Sequence, residues 1–266
     1  MSYRKLKVGR IKYVNVDPVY WLFDEGRMPE WVEIVEADPT TLNNMMIDGT
    51  LDVGPVSSVA YAIHSDKWDL LPGLCISCAG RAMSVILASK GPLEQLHNAP
   101  LYLSNESTTS VQLLKLIMER ENLSPEYRPW LSGQQTRLPD DAMGGLLIGD
   151  RALAWIYYQK CPLFLDLGEY WYAWTGLPFV FAVWVTRKDV IPNLDRYLNK
   201  LDDLFNESLN CGLASIESLV TRVAGNLKLP SAMIRAYFEA LNYRLGTEER
   251  QGMEYFFKLL HSRGMI

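Results

Sequence analysis

The residues of this chain best placed to do chemistry are neutral hydrogen-bonding groups. Hydroxyls gather where an apolar run gives way to a helical pattern, at Ser57-Ser58 within LDVGPVSSVAYA and along Ser104-Asn105-Glu106-Ser107-Thr108-Thr109-Ser110. A helix start leaves backbone N–H groups unpaired at the positive end of its dipole. Small hydroxyl residues there either cap the helix, as at any helix start, or help to hold an anion. Asn15, in the loop Val14-Asn15-Val16-Asp17, and Gly149-Asp150 occupy two further breaks of this kind. The histidines His64, His97 and His261 fall on helix or loop positions away from these breaks, leaving no place for a Ser-His-Asp triad or a histidine metal site. Neither G-x-x-x-x-G-K-[ST] nor a G-x-G-x-x-G after the first strand is present, which argues against nucleotide phosphates. Cys75 and Cys78 have a C-x-x-C spacing, but LLPGLCISCAG reads as extended, and strand positions three apart face opposite sides. Cys161 and Cys211 lack neighbouring ligands, so all four are read as buried reduced thiols and no metal is expected.

Short α/β units must position these groups. KLKVGRIKY alternates like a first strand, and a helix starts after Pro18. Trp31 to Val35 reads as a second strand, followed by a helix with Leu42, Met45 and Met46 that Gly49 stops. Leu51 and Val53 mark a strand expected to end at Gly54-Pro55. Apolar runs at Leu70–Ile76 and Met83–Ala88 follow, with Ser84 near the start of the latter, and Pro100 to Leu103 begins a new strand. GGLLIGDRALA repeats the order of DGTLDVGPVSSVA, with Gly149 opposite Gly54, and KVGRIKYVN parallels APLYLSN. Two lobes on one plan follow. The chain is expected to pass between them in Met83–Ala88 and Phe179–Val185, giving lobe 1 residues 1–88 and 186–266 and lobe 2 residues 89–185. From Asn193 onwards the pattern is helical and reads as packing rather than chemistry. Open α/β sheets bind ligands at the carboxyl ends of their strands, so Asn15, Ser57-Ser58, Ser104–Ser110 and Gly149-Asp150 are expected to face one cleft.

Composition narrows the partners. A chain of 266 residues with 48% hydrophobic content can build two domains with sizeable cores. Its 26 Lys and Arg against 31 Asp and Glu give a net charge of −5 with no dense basic run, which argues against nucleic acid. MSYRKLKVGRIKY lacks the apolar core of a signal peptide, and no later segment is apolar enough to span a bilayer. No membrane partner and a cytoplasmic location are therefore expected.

Hydroxyls, amides and helix N-termini suit a small carboxylate dianion. The strings VGRIKYVNVDPVYW, DVGPVSSVAYA, LPGLCIS, STTSVQLLK, LLIGDRAL and WTGLPFVFAVW, in this order, resemble the chorismate dehydratases of the futalosine route to menaquinone. The resemblance implies a two-lobed, periplasmic-binding-protein-like α/β fold (type II), each lobe a mixed sheet flanked by helices, with two hinge crossings. It also implies a cytoplasmic hydro-lyase without a cofactor, monomer or homodimer, converting chorismate to 3-[(1-carboxyvinyl)oxy]benzoate. The family's catalytic position falls on Asn15; Ser57, Ser58, Ser84, Thr109 and Ser110 match positions that line its substrate cleft. Gly149 and Asp150 join them as substrate-binding residues by the strand-end argument. The chain departs from the family at Asp17, where an apolar residue is expected, and at Gly80-Arg81-Ala82-Met83. Arg81 is either an extra carboxylate ligand or a surface charge.

Loss of the ring proton beside the enolpyruvyl ether, and of the neighbouring hydroxyl, makes chorismate aromatic. A cleft that orients the substrate and stabilises developing charge meets that need, with the Asn15 amide near the reacting carbons. Asn15 also suits a purely structural turn. With no histidine or lysine at a strand end, the proton goes to a substrate carboxylate, or to Asp17 or Asp150. Two rivals remain at this level. One is the sister naphthoate-forming enzyme, whose first loop is proline- and asparagine-rich and whose second lobe carries a histidine, neither matched here. The other is a cytoplasmic small-carboxylate binding module, against which no helix-turn-helix precedes the first strand.

Overall fold

The structure is a computed structural model and describes residues 4–131, 137–158, 163–190 and 192–266. Cys161 lies outside the described residues. Among the described residues eleven strands form two sheets. The first contains β1 (Leu6–Ile11), β2 (Val32–Ala37), β3 (Val53–Ser57) and β4 (Trp68–Cys78); the second contains β5 (Val85–Ser89), β6 (Pro100–Ser104), β7 (Glu126–Trp130), β8 (Gly144–Ile148) and β9 (Leu163–Asp166). The chain then returns to the first sheet with β10 (Phe179–Arg187) and β11 (Asn242–Arg244). Helices are α1 (Trp21–Asp24), α2 (Pro39–Asp48), α3 (Ser58–His64), α4 (Thr108–Arg120), α5 (Asp150–Tyr157) and α6 (Leu167–Thr175). They continue with α7 (Pro192–Ala214), α8 (Ile216–Leu227), α9 (Ser231–Ala240) and α10 (Thr247–His261).

The two sheets share a plan. In the order β2-β1-β3-β10-β4 the pairings run parallel, parallel, antiparallel, antiparallel, and β7-β6-β8-β5-β9 repeats that series. β11 is added to the first sheet beyond β4. The repeat inferred from KVGRIKYVN and APLYLSN thus reappears as β1 and β6, each flanked by two parallel partners. The match of Gly54 with Gly149 is looser. Gly149 has φ +68° and precedes α5, whereas Gly54 lies inside β3, where a Cβ would come within 3.2 Å of the Gly9 backbone.

Two expectations are corrected. β3 does not end at Gly54-Pro55 but runs on to Ser57, because β10 pairs along it from Thr186↔Val53 to Ala182↔Ser57. Parallel pairing with β1 is confined to Val8↔Val53, so the proline falls where β3 has one ladder partner, as strand prolines require. The runs expected to cross between lobes each belong to one sheet: β5 pairs only within the second, β10 only within the first. The passages are therefore residues 79–84 and 176–178, and the boundaries move from 88/89 and 185/186 to these segments.

Both passages are held firmly. The buried Asp166 carboxylate accepts the N–H groups of Ala82 (2.9 Å) and Met83 (2.6 Å) while capping α6 at Gly168 and Glu169. That grip accounts for Met83 adopting φ +58°, a left-handed conformation that costs a side-chain-bearing residue about 1–3 kcal/mol. At the second passage the Trp171 indole donates to the Pro178 carbonyl at 3.3 Å and its ring packs on Phe179 and Phe256. Phe256 and Leu260 of α10 share a core with Leu113, Leu114 and Ile117 of α4, so the C-terminal helix touches the second unit as well as the first. Cys75 and Cys78 sit on β4 in two different cores, as their spacing on a strand demands.

Candidate active site

The carboxyl ends of β1, β3, β6 and β8 converge on one cleft. It encloses about 560 Å³ between atoms, counting its open mouth, and its walls differ. Ile11, Ile76, Val85, Ile148, Phe181 and Leu241 supply apolar surface; Tyr13, Asn15, Ser57, Ser84, Ser107 and Ser110 supply the polar groups, with Gly149 at the floor. Among the described residues the lining includes no lysine, arginine or histidine. Apolar walls with a few fixed polar groups are the usual make-up of a small-molecule site.

Each polar group is set by its local fold. Ser57 ends β3 and caps α3, its Oγ accepting the Ala60 N–H at 3.2 Å and the Asn43 amide at 3.4 Å. Asn43 also accepts the Ser57 N–H at 3.1 Å. With its oxygen engaged as an acceptor, Ser57 retains its O–H as a donor towards the cleft. Ser107 caps α4 by accepting the Ser110 N–H at 3.2 Å, and the two hydroxyls share a bond of 3.0 Å. One proton of that pair closes the shared bond and the other is available to a ligand at the N-terminus of a thirteen-residue helix. Asn15 sits in a 3-10 turn, Val14–Val16, and its Oδ1 is buried with no hydrogen-bond partner. A buried acceptor left unpaired costs about 1–3 kcal/mol, which marks the position as kept for something other than stability. Ser84 leads into β5, and its carbonyl accepts the Gly149 N–H at 2.7 Å, joining two strand ends across the floor.

Five of the residues expected at the cleft thus line it: Asn15, Ser57, Ser84, Ser110 and Gly149. Three do not. Ser58 and Thr109 are fully buried behind the wall, where Ser58 Oγ donates to the Val180 carbonyl at 2.8 Å. The two hydroxyls lie 3.2 Å apart and Thr109 Oγ1 accepts the Val59 N–H at 3.0 Å, so they join α3 to α4. Asp150 follows the floor glycine, but its carboxylate turns to the Val14 N–H at 3.3 Å. Burial, with the charges of Asp17 and Glu106 nearby, pushes the Asp150 carboxyl up to about 7. Asp17 is bound at 3.0 Å to Arg10, which also holds Asp24 and Glu36, and Arg222 lies 3.8 Å away. Arg81 is half exposed and lies 3.8 Å from Glu169, outside the cleft lining, which favours the surface-charge reading.

Comparison with known proteins gives the family of this chain. A family model described as menaquinone biosynthesis matches residues 6–262. The chain belongs to that family. A chorismate dehydratase from Thermus thermophilus is 31% identical over 97% of this chain and 96% of its own. A 1,4-dihydroxy-6-naphtoate synthase from the same organism is 25% identical, over 98% of this chain and 95% of its own. The periplasmic aliphatic sulphonate binding protein SsuA from Escherichia coli superposes with a TM-score of 0.64 at 12% identity, covering all of this chain and 89% of that one. The fold is accordingly periplasmic-binding-protein-like, with two mixed sheets flanked by helices.

In this member of the menaquinone biosynthesis family, three cleft features escaped the reading of the residues. Tyr13 closes the alternating pattern KLKVGRIKY and reads as part of the strand, yet it lies two residues beyond β1 and its hydroxyl donates to Glu106 at 2.8 Å. Ser107 was one hydroxyl among several until the geometry singled it out as the cap of α4. Leu241 lies in the C-terminal part read as packing, and reaches the cleft because β11 joins the first sheet.

Proposed function

We propose that this chain is a lyase that removes water from chorismate to give 3-[(1-carboxyvinyl)oxy]benzoate, acting in the cytoplasm on the futalosine route to menaquinone. The observation that carries the reading is the cleft itself, lined by hydroxyls, a helix N-terminus, apolar side chains and Asn15, whose Oδ1 has no partner in the protein. The apolar wall fits the ring, and the neutral donors fit carboxylates without fixing them so tightly that turnover stalls. Free, buried Cys75 and Cys78 suit a reducing compartment.

Elimination breaks the C–H bond beside the enolpyruvyl ether and the adjacent C–O bond, and the ring carboxylate takes up developing charge through the diene. In this reading Ser57, Ser84 and the Ser107–Ser110 pair hold the carboxylates, and the Asn15 amide lies beside the reacting carbons. Asp17 is bound to Arg10 and Asp150 is turned to the Val14 N–H, both outside the cleft lining. A carboxylate of the substrate is left as the base, and the hydroxide leaves with the proton as water. Incubating purified protein with chorismate and following the ultraviolet spectrum and product mass tests the reading. The aromatic enol ether supports it; chorismate recovered unchanged while bound makes the chain a binding module. Turnover of a cyclic futalosine derivative in place of chorismate assigns it to the naphthoate-forming branch.

A further inference from the structure

Asn15 is poorly anchored by its own side chain, since its Oδ1 has no partner in the protein. Besides its own backbone bonds, the turn is held from the opposite lobe. Tyr13, just beyond the end of β1, sends its hydroxyl across the cleft to Oε2 of Glu106, beyond the end of β6. Glu106 is a built acceptor: it is 3% exposed, its Oε1 takes Arg151 Nη1 at 2.6 Å, and its N–H donates to Ser104 Oγ at 3.2 Å. The Tyr13 ring lies flush on Gly149, where an added Cβ would fall 2.6 Å from it. The next residue is held too, Val14 N–H meeting Asp150 at 3.3 Å. Both residues that precede Asn15 are therefore gripped by the second lobe. Burial and the Glu106 charge keep the Tyr13 phenol well above its ordinary range, so it remains a donor at neutral pH.

We propose that Tyr13 and Glu106 are a positioning pair, whose bond across the cleft turns Asn15 towards the substrate when the two lobes meet. The inference rests on the assignment of Asn15 to the reacting carbons. A bond that only drew the lobes together would tighten binding; one that aims Asn15 acts on the chemical step.

Tyr13→Phe keeps the ring on Gly149 and removes the bond, and Glu106→Gln removes the charge and keeps the shape. Each is compared with wild type for chorismate Kd, kcat and KM, and for amide hydrogen exchange at Val14 without ligand. The expected result is a kcat at least tenfold lower with Kd changed less than threefold, and Val14 exchange at least tenfold faster. A kcat within threefold of wild type, or a loss confined to KM, overturns the proposal. If Tyr13→Phe does not fold, Glu106→Gln carries the same test. If wild type leaves chorismate untouched, the proposed function fails. The exchange measurement still judges the pair, unchanged protection at Val14 refuting it and faster exchange supporting it.

Discussion

Replacing Asn15 with alanine separates a catalytic role from a structural one, because this residue gives the fold little. Its Oδ1 is buried and unpaired, so truncation orphans no partner of that atom and removes an acceptor whose burial costs about 1–3 kcal/mol. Against that gain stands a small loss of packing in a half-buried turn. The variant is therefore expected to melt at or slightly above the wild-type temperature; for a chain of this size each kcal/mol moves the midpoint by about 2–4 °C. Activity should move the other way. Loss of one preorganised hydrogen-bonding group aimed at developing charge costs about 10²–10³ in kcat, or roughly 2.7–4 kcal/mol. Steady-state turnover of chorismate, calorimetric binding and a thermal melt give the three quantities. Turnover within about tenfold of wild type, with binding retained, would refute the catalytic assignment. A melting temperature lowered by several degrees would refute the claim that the turn does not depend on this side chain.

Four further outcomes follow from the geometry. Asp150 has a folded pKa raised to about 7, so the folded protein binds this proton more tightly than the unfolded chain and loses stability as pH rises from about 4 to 7. Asp150→Asn should flatten that slope and raise the melting temperature at pH 8 while changing it little at pH 4; parallel curves for the two proteins would refute the shift. Arg10 binds Asp17, Asp24 and Glu36, and Arg10→Ala should cost about 1.5–3 kcal/mol in urea denaturation through lost charge-assisted hydrogen bonds, with Arg222 still facing Asp17 and Asp24. Less than 1 kcal/mol would show that water already screens them. Ser58→Ala should lower stability by about 1–3 kcal/mol, since it strips the buried Val180 carbonyl of a donor, and leave KM within threefold. Ser57→Ala should raise KM severalfold through loss of a cleft donor; equal effects of the two on KM would undo the distinction between wall and interior.

What the sequence disclosed about this site follows from which physical signals are local. Strand ends and helix starts are local, so the four breaks at Asn15, Ser57, Ser107–Ser110 and Gly149 could be placed, and the repeated plan brought them to one cleft. The direction of a side chain at a helix start is not local. Ser57 and Ser58 look alike in LDVGPVSSVAYA, yet one ends β3 and faces the cleft while the other begins α3 and meets Thr109. Which of them turns inward depends on β3 continuing through Gly54-Pro55, and that is decided by the antiparallel β10, far away in sequence. The same non-locality hid Glu106: an acidic residue in a hydroxyl-rich turn reads as solvated, and only the approach of Tyr13 and Arg151 from two other strand ends makes it a buried acceptor. Crossings were misplaced for a related reason. An apolar run such as Met83–Ala88 reads as a bridge between lobes, but a strand is stabilised by pairing along its whole length within one sheet. The passages fall instead to short segments that polar and aromatic clamps can hold, at Asp166 and Trp171. Tyr13 and Val14 are held from the second lobe, so Glu106→Gln, remote in sequence from Asn15, should lower turnover more than changes at exposed positions of α4, which follows it; equal losses would refute this.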